Sequence, residues 1–198
     1  MTPQQIKDRL VYGFGISDIP VSINGVHLPE YKIWKAMLRR CYSKNRSTYS
    51  KNYLLCTVSD DFKYFSNFKK WCQTQIGFGE DGFHLDKDLL VKGNKIYSKD
   101  TCVFLPSEIN IMIINQNNKR GDCPIGVCFN KKLGKYQSTV TTRGKAVHLG
   151  LFESPVSAFK AYKKEKELIL IDFAMLYKDR ISEKAFKALI NYNVDIND

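Results

Sequence analysis

The sequence predicts an α+β fold in two modules. A helix-and-hairpin module comes first, then a three-stranded antiparallel sheet packed on a helix, with one more helix at the C-terminal end. Three observations predict it. Trp34, Met37, Leu38 and Cys41 recur at i, i+3, i+4 and i+7, a helical stripe. Lys135 to Thr142 alternates with period two between Gly134 and Gly144, as a half-buried strand does. Between these segments Asn115 to Asp122 is polar and turn-forming throughout, which marks a linker. The expected boundaries are 1–29 for an N-terminal arm, 30–114 for the first module, 115–123 for the linker and 124–198 for the second module.

Residues 1–29 scatter Gly13, Gly15, Pro20, Gly25 and Pro29 among short apolar stretches, an irregular lead-in with room for one strand pair. A helix then runs from Glu30 to Tyr42, with Lys32, Lys35, Arg39 and Arg40 on its polar side. Ser43 to Asn52 carries no periodic apolar residue and reads as a loop. Ser59 is an N-cap with Asp60 and Asp61 at the positive helix end, and Phe62, Phe65, Phe68, Trp71 and Cys72 form the buried stripe of the helix that follows.

After the linker, Gly126 to Phe129, Lys135 to Thr142 and Ala146 to Phe152 are the three strands. Gly134 and Gly144 sit where tight turns want positive φ. Tyr136, Ser138 and Val140 fall on one side of the middle strand, and Lys135, Gln137, Thr139 and Thr141 on the other. Val147 and Leu149 oppose Ala146 and His148 in the same way. Ser154-Pro155 supplies an N-cap and a first-turn proline, and Ala158, Phe159, Ala161 and Tyr162 give the next helix an apolar stripe to lay over Tyr136, Val140, Val147 and Leu149. That helix continues from Glu165 to Tyr177. Ser182 caps a last one, with Ile181 and Phe186 spaced as a hydrophobic staple.

Lysine and arginine number 31 against 20 aspartates and glutamates, a net charge of +11, so a polyanionic partner is expected. Nine of those cations lie between Pro124 and Glu167. With 43% hydrophobic residues the chain can bury two small cores, yet no apolar run approaches the roughly 18 residues that span a bilayer. Met1 to Gln5 lacks the charged start and apolar core of an export signal, so a soluble, cytoplasmic protein is expected, without a membrane partner. Cysteines at 41, 56, 72, 102, 123 and 128 lack metal-knuckle spacing and are expected to be reduced and mostly buried.

Taken in order, Gly126-Val127, Gly134-Lys135-Tyr136, Gly144-Lys145, His148-Leu149-Gly150-Leu151-Phe152 and Ala158, Ala161 and Tyr162 resemble the APETALA2/ethylene-response-factor DNA-binding domain, over about a quarter of the chain. The resemblance implies that the exposed sheet face lies in the DNA major groove. The positions matching the family's base-reading residues are Cys128, Asn130, Thr139, Thr141, Ala146 and His148, where plant members carry mostly arginine and tryptophan.

The stretch His84-Leu85-Asp86-Lys87-Asp88, Gly93 to Ser98, Thr101 to Pro106 and Glu108-Ile109-Asn110 carries different chemistry. A histidine and two carboxylates within five residues suit a divalent-metal phosphodiesterase, with carboxylate oxygens on the metal and imidazole taking a proton from water. On a strand, His84, Asp86 and Asp88 share one face and Lys87 points away. The stretch, with the two helices before it, resembles the phage-type HNH homing endonucleases. That resemblance implies Asp86 as a Mg2+ or Mn2+ ligand completed by Asn110, but its general-base position holds Lys87. A lysine of ordinary pKa, about 10.4, is protonated at neutral pH and accepts no proton. The structural alternative pairs Asp86 or Asp88 with Lys87, Lys92 or Lys95 around the Gly93-Asn94 turn.

Three functions follow. The preferred one is a phage or mobile-element protein that binds double-stranded DNA without cutting it and needs no cofactor. In it Lys131, Lys132, Lys135, Arg143 and Lys145 position phosphates, while Gln137, Thr139, Thr141 and His148 face bases. The second is a metal-dependent nicking or homing endonuclease using Asp86 with His84 or Asp88. The third is a phage protein that binds a host protein. The apolar C-terminal helices close the sheet module's core or pair two copies as a homodimer.

Overall fold

The structure is a computed structural model that describes residues 10–43, 53, 55–114 and 122–198. Residues 115–121 of the expected linker, residues 44–52 and 54, and the first nine residues lie outside that range. The fold is mixed α+β, and the chain divides into two compact units, one ending at Leu105 and the other beginning at Pro106.

In the first unit, the pairing of Ser22–Ile23 (β1) with Val26–His27 (β2) is the strand pair expected of the lead-in. The lead-in is not a separate arm, however. Val11, Tyr12, Phe14, Ile19, Val21 and Leu28 all pack on the unit's core. Gly15 lies so close to Pro29–Tyr42 (α1) that a Cβ there would stand 2.3 Å from Leu38 and 2.7 Å from Trp34. The stripe of α1 is buried as its spacing dictates, with Trp34, Met37 and Leu38 at 0% exposure, and the Trp34 indole donates to the Phe62 carbonyl at 2.7 Å.

Thr57–Val58 (β3) leads into Asp60–Lys63 (α2), capped by Ser59, whose hydroxyl accepts from Phe62 N. Tyr64 takes an extended backbone and breaks the expected single helix, which resumes as Phe65–Gln73 (α3). The aromatic stripe survives the break because Phe62, Phe65 and Phe68 all turn into the same core. Phe83–Asp86 (β4), Ile96–Tyr97 (β5) and Val103–Pro106 (β6) complete the unit. Here the expected hairpin is corrected. β4 pairs with β6, while β5 runs parallel to β3, with Thr57 opposite Ile96 and Val58 opposite Tyr97.

Ser107–Ile113 (α4), expected in the first module, belongs to the second unit. Val127–Asn130 (β7), Lys135–Thr142 (β8) and Lys145–Phe152 (β9) form the predicted antiparallel sheet in the order β7-β8-β9. The β8–β9 turn has Arg143 at φ 48° and Gly144 at φ 73°, the two positive values that match the twist of a two-residue hairpin. Pro155–Leu176 (α5) starts on Ser154, whose hydroxyl accepts from Ser157 N at 3.1 Å, and packs against all three strands. Glu183–Ile190 (α6) is capped by Ser182 as expected, with Ile181 and Leu189 buried. All six cysteines are described, none is bridged, and Cys41, Cys56, Cys72 and Cys102 are buried. Among the described residues no helix is long and apolar enough to cross a membrane.

Candidate nucleic-acid interface

The register of the three strands sorts their side chains onto two faces, since directly opposed residues share a face. Tyr136 stands opposite Phe152, Ser138 opposite Gly150 and Val140 opposite Val147. Ser138 and Val140 are buried, together with Ala158, Phe159 and Tyr162 of α5, so this is the covered face. Val147, expected under the helix, remains 41% exposed near the hairpin tip.

The other face carries Gln137 opposite both Cys128 and Leu151, Thr139 opposite His148, and Thr141 opposite Ala146. Cys128, Thr141, Ala146, His148 and Leu151 are exposed, and Gln137 and Thr139 half-buried. Gln137, Thr139, Thr141 and His148 are thereby brought together on one uncovered surface. Gln137 Nε2 donates to Thr139 Oγ1 at 3.4 Å. Asn130 is spent locally: its Oδ1 accepts from the backbone of Lys132 and Leu133 and fixes the β7–β8 turn.

Leu151 was not legible as a face residue, because a register shift at Ser138/Thr139 sets two residues of β9 against one of β8. That bulge reverses the alternation beyond His148, turning Phe152 toward α5 and Leu151 outward. Gly150, at φ 132°, is the sequence mark of the bulge.

Between Pro124 and Phe152 there are five cationic residues and no aspartate or glutamate. Lys131 and Lys132 are exposed on the β7–β8 turn. Lys135 lies on the open face, with Nζ 2.8 Å from Glu153 Oε1. Lys145, opposite Thr142, is exposed at the hairpin tip on the helix side. Arg143 leans to that side too, its Nε 3.7 Å from Glu108 Oε2 and its guanidinium 5.5 Å above the Phe173 ring. Tyr177 Oη donates to the same Glu108 at 2.5 Å and anchors it.

The His84–Asp88 stretch does not assemble as expected. β4 ends at Asp86, so the alternation that would place Asp88 beside it stops there. His84 is exposed, whereas Asp86 is 3% exposed. Asp86 Oδ2 accepts from the backbone N–H groups of Asp88 and Leu89, at 3.0 and 3.2 Å, and so closes the turn after the strand. Its Oδ1 is buried without a hydrogen-bond partner. Burial first, then the nearby Asp88 charge, raises the Asp86 carboxyl to about 7. Lys87, expected to point away, is 5% exposed; its Nζ is 2.9 Å from Asp88 Oδ2 and lies 5.7 Å from the Tyr97 ring centre. Asn94 Nδ2 donates to the Lys87 carbonyl at 2.7 Å and holds the turn. Arg40 donates to Tyr97 Oη at 3.1 Å, so a second cation stands at the same tyrosine.

A divalent cation needs several oxygen ligands in one place. Asp86 offers one open oxygen beside a buried ammonium, Asp88 is tied to that ammonium, His84 is exposed and Asn110 lies on α4. His84, Asp86 and Asp88 are thus not gathered around one point as a ligand set for Mg2+ or Mn2+. Among the described residues no group of three or more His, Cys, Asp or Glu side chains is placed to hold a metal ion. No family model, no curated protein and no solved structure matches the chain.

Proposed function

We propose that the protein binds double-stranded DNA, laying the open face of β7–β9 in the major groove, and that its first unit does not cut the strand. One observation carries the reading: a sheet face free of acidic side chains, edged by Lys131, Lys132 and Lys135, with its back sealed by α5. The major groove admits β-strands, and cations at the edge of the face attract the flanking phosphates. The surplus of 11 positive charges acts in the same sense. A protein of this kind works in the cytoplasm of its host cell, where duplex DNA is available. Leu168, Met175 and Leu176 on α5 are exposed and are the residues through which two copies would pair, which sedimentation at several concentrations tests.

Two features support binding without cleavage. The ammonium of Lys87 stands where a general base is needed, and Asp86 is engaged in closing its own turn. Incubation with supercoiled plasmid, with and without Mg2+ or Mn2+, separates the readings. Retardation with no change of plasmid form is expected. Metal-dependent nicking that disappears in Asp86→Ala would establish the endonuclease instead, and the open Asp86 Oδ1 is the atom that favours it. Absence of retardation at moderate salt would point to a protein partner.

A further inference from the structure

The open face differs from a general cationic surface in what it withholds. Arginine and lysine are the side chains that read guanine, through O6 and N7. Of the cations here, Lys135 on the face is held by Glu153, while Arg143, held by Glu108 and Phe173, and Lys145 lie on the helix side. Lys131 and Lys132 stand on the turn beyond the strands, where phosphate is in reach. The residues left at the centre are Gln137, Thr139, Thr141, Ala146, His148 and Leu151. Gln137 has a carbonyl and a second amide proton to spare after its bond to Thr139, the pair of groups that matches adenine N6 and N7. Threonine and alanine methyls are the usual contacts of the thymine 5-methyl group. Leu151, delivered to this face by the β9 bulge, extends the apolar strip.

We propose that this face selects A·T-rich duplex in the major groove, with Gln137 on adenine and Thr139, Thr141, Ala146 and Leu151 against thymine methyl groups. The inference rests on the duplex-binding reading above and adds to it the class of sequence bound. The test uses the full chain and three duplexes of equal length: A·T-rich, G·C-rich, and the A·T-rich sequence with deoxyuridine in place of thymidine. Deoxyuridine keeps every hydrogen-bonding group and loses only the major-groove methyl.

Fluorescence anisotropy at one salt concentration should rank the A·T-rich duplex tightest. Deoxyuridine should weaken it roughly fourfold for each contacted methyl, the equivalent of about 0.8 kcal/mol per methylene-sized group. Thr139→Ser and Thr141→Ser, which keep the hydroxyl and lose the methyl, should narrow the thymidine-to-deoxyuridine ratio and leave the salt slope unchanged. Equal binding to all three duplexes, with ordinary salt dependence, would overturn the selectivity and leave duplex binding standing. Failure to bind any of them would overturn both.

Discussion

At Gly126 the second unit leaves no room for a side chain. A Cβ there would stand 2.0 Å from the Tyr162 ring, and the backbone has φ 74°, a region that side-chain-bearing residues avoid. Gly126→Ala should therefore destabilise this unit by about 1–3 kcal/mol for a forced overlap, read as a lower urea midpoint, with α5 pushed from the sheet. Asp86 is the corresponding point of tension in the first unit, and its effect has a definite sign. The folded carboxyl, raised from 3.8 to about 7, keeps its proton after the unfolded chain has lost its own. The folded state then binds more protons, so stability falls as pH rises from about 4 to about 7 and levels above that window. Asp86→Asn should flatten this fall, so that wild type and variant converge toward pH 4 and separate most above pH 7 in denaturant titrations. A wild-type midpoint that rises across the window would contradict the assigned burial. His84, Asp86 and Asp88 show why the site was only half legible: alternation predicts a shared face while a strand continues, and two backbone N–H groups drawn to Asp86 end it.

Among the elements, legibility followed length. The eight-residue strands β8 and β9 announce themselves by alternation between positive-φ glycines, and α1, α5 and α6 by periodic stripes and caps. The two-residue strands β3 and β5 carry no period, so their parallel pairing is invisible in sequence. The break at Tyr64 was equally hidden, because Phe62, Phe65 and Phe68 keep a helical spacing across it. The β9 bulge is the element whose register a deletion tests most directly. Deleting Leu149 removes the unpaired extra residue and restores simple alternation with Gly150, Leu151 and Phe152 left on their present faces. The variant should keep both cooperative unfolding of the second unit and duplex binding, and loss of both would contradict this register. By contrast Ser154→Ala removes only the hydroxyl that accepts from Ser157 N, and should cost about 1 kcal/mol in thermal or urea unfolding with DNA affinity intact wherever the unit is folded.

For the molecule as a whole, charge is the property that composition reveals most directly and positions least well. A surplus of 11 predicts a polyanionic partner, yet says nothing of which cations are committed to the protein itself. The commitment of Arg143 depends on Glu108 and Phe173, which lie on helices that flank the sheet segment in sequence, and no spacing rule connects the three. These commitments make the five cations unequal in a way that salt can measure. Each phosphate contact releases counterions, so the logarithm of affinity falls with the logarithm of salt by about 0.9 per contact. Lys131→Ala and Lys132→Ala, at exposed positions on the β7–β8 turn, should each weaken binding to every duplex alike and reduce that slope by about one. Lys135→Ala should reduce it less, because Glu153 already competes for the ammonium, and Glu153→Gln should raise affinity by releasing it. Arg143→Ala should leave the slope unchanged and instead lower the stability of the second unit, through loss of its contacts with Phe173 and Glu108. Anisotropy titrations between about 50 and 200 mM salt resolve slopes of this size. Equal slope losses for Lys131, Lys135 and Arg143 would mean that the two ion pairs open on binding and that the whole rim, rather than the β7–β8 turn, grips the backbone.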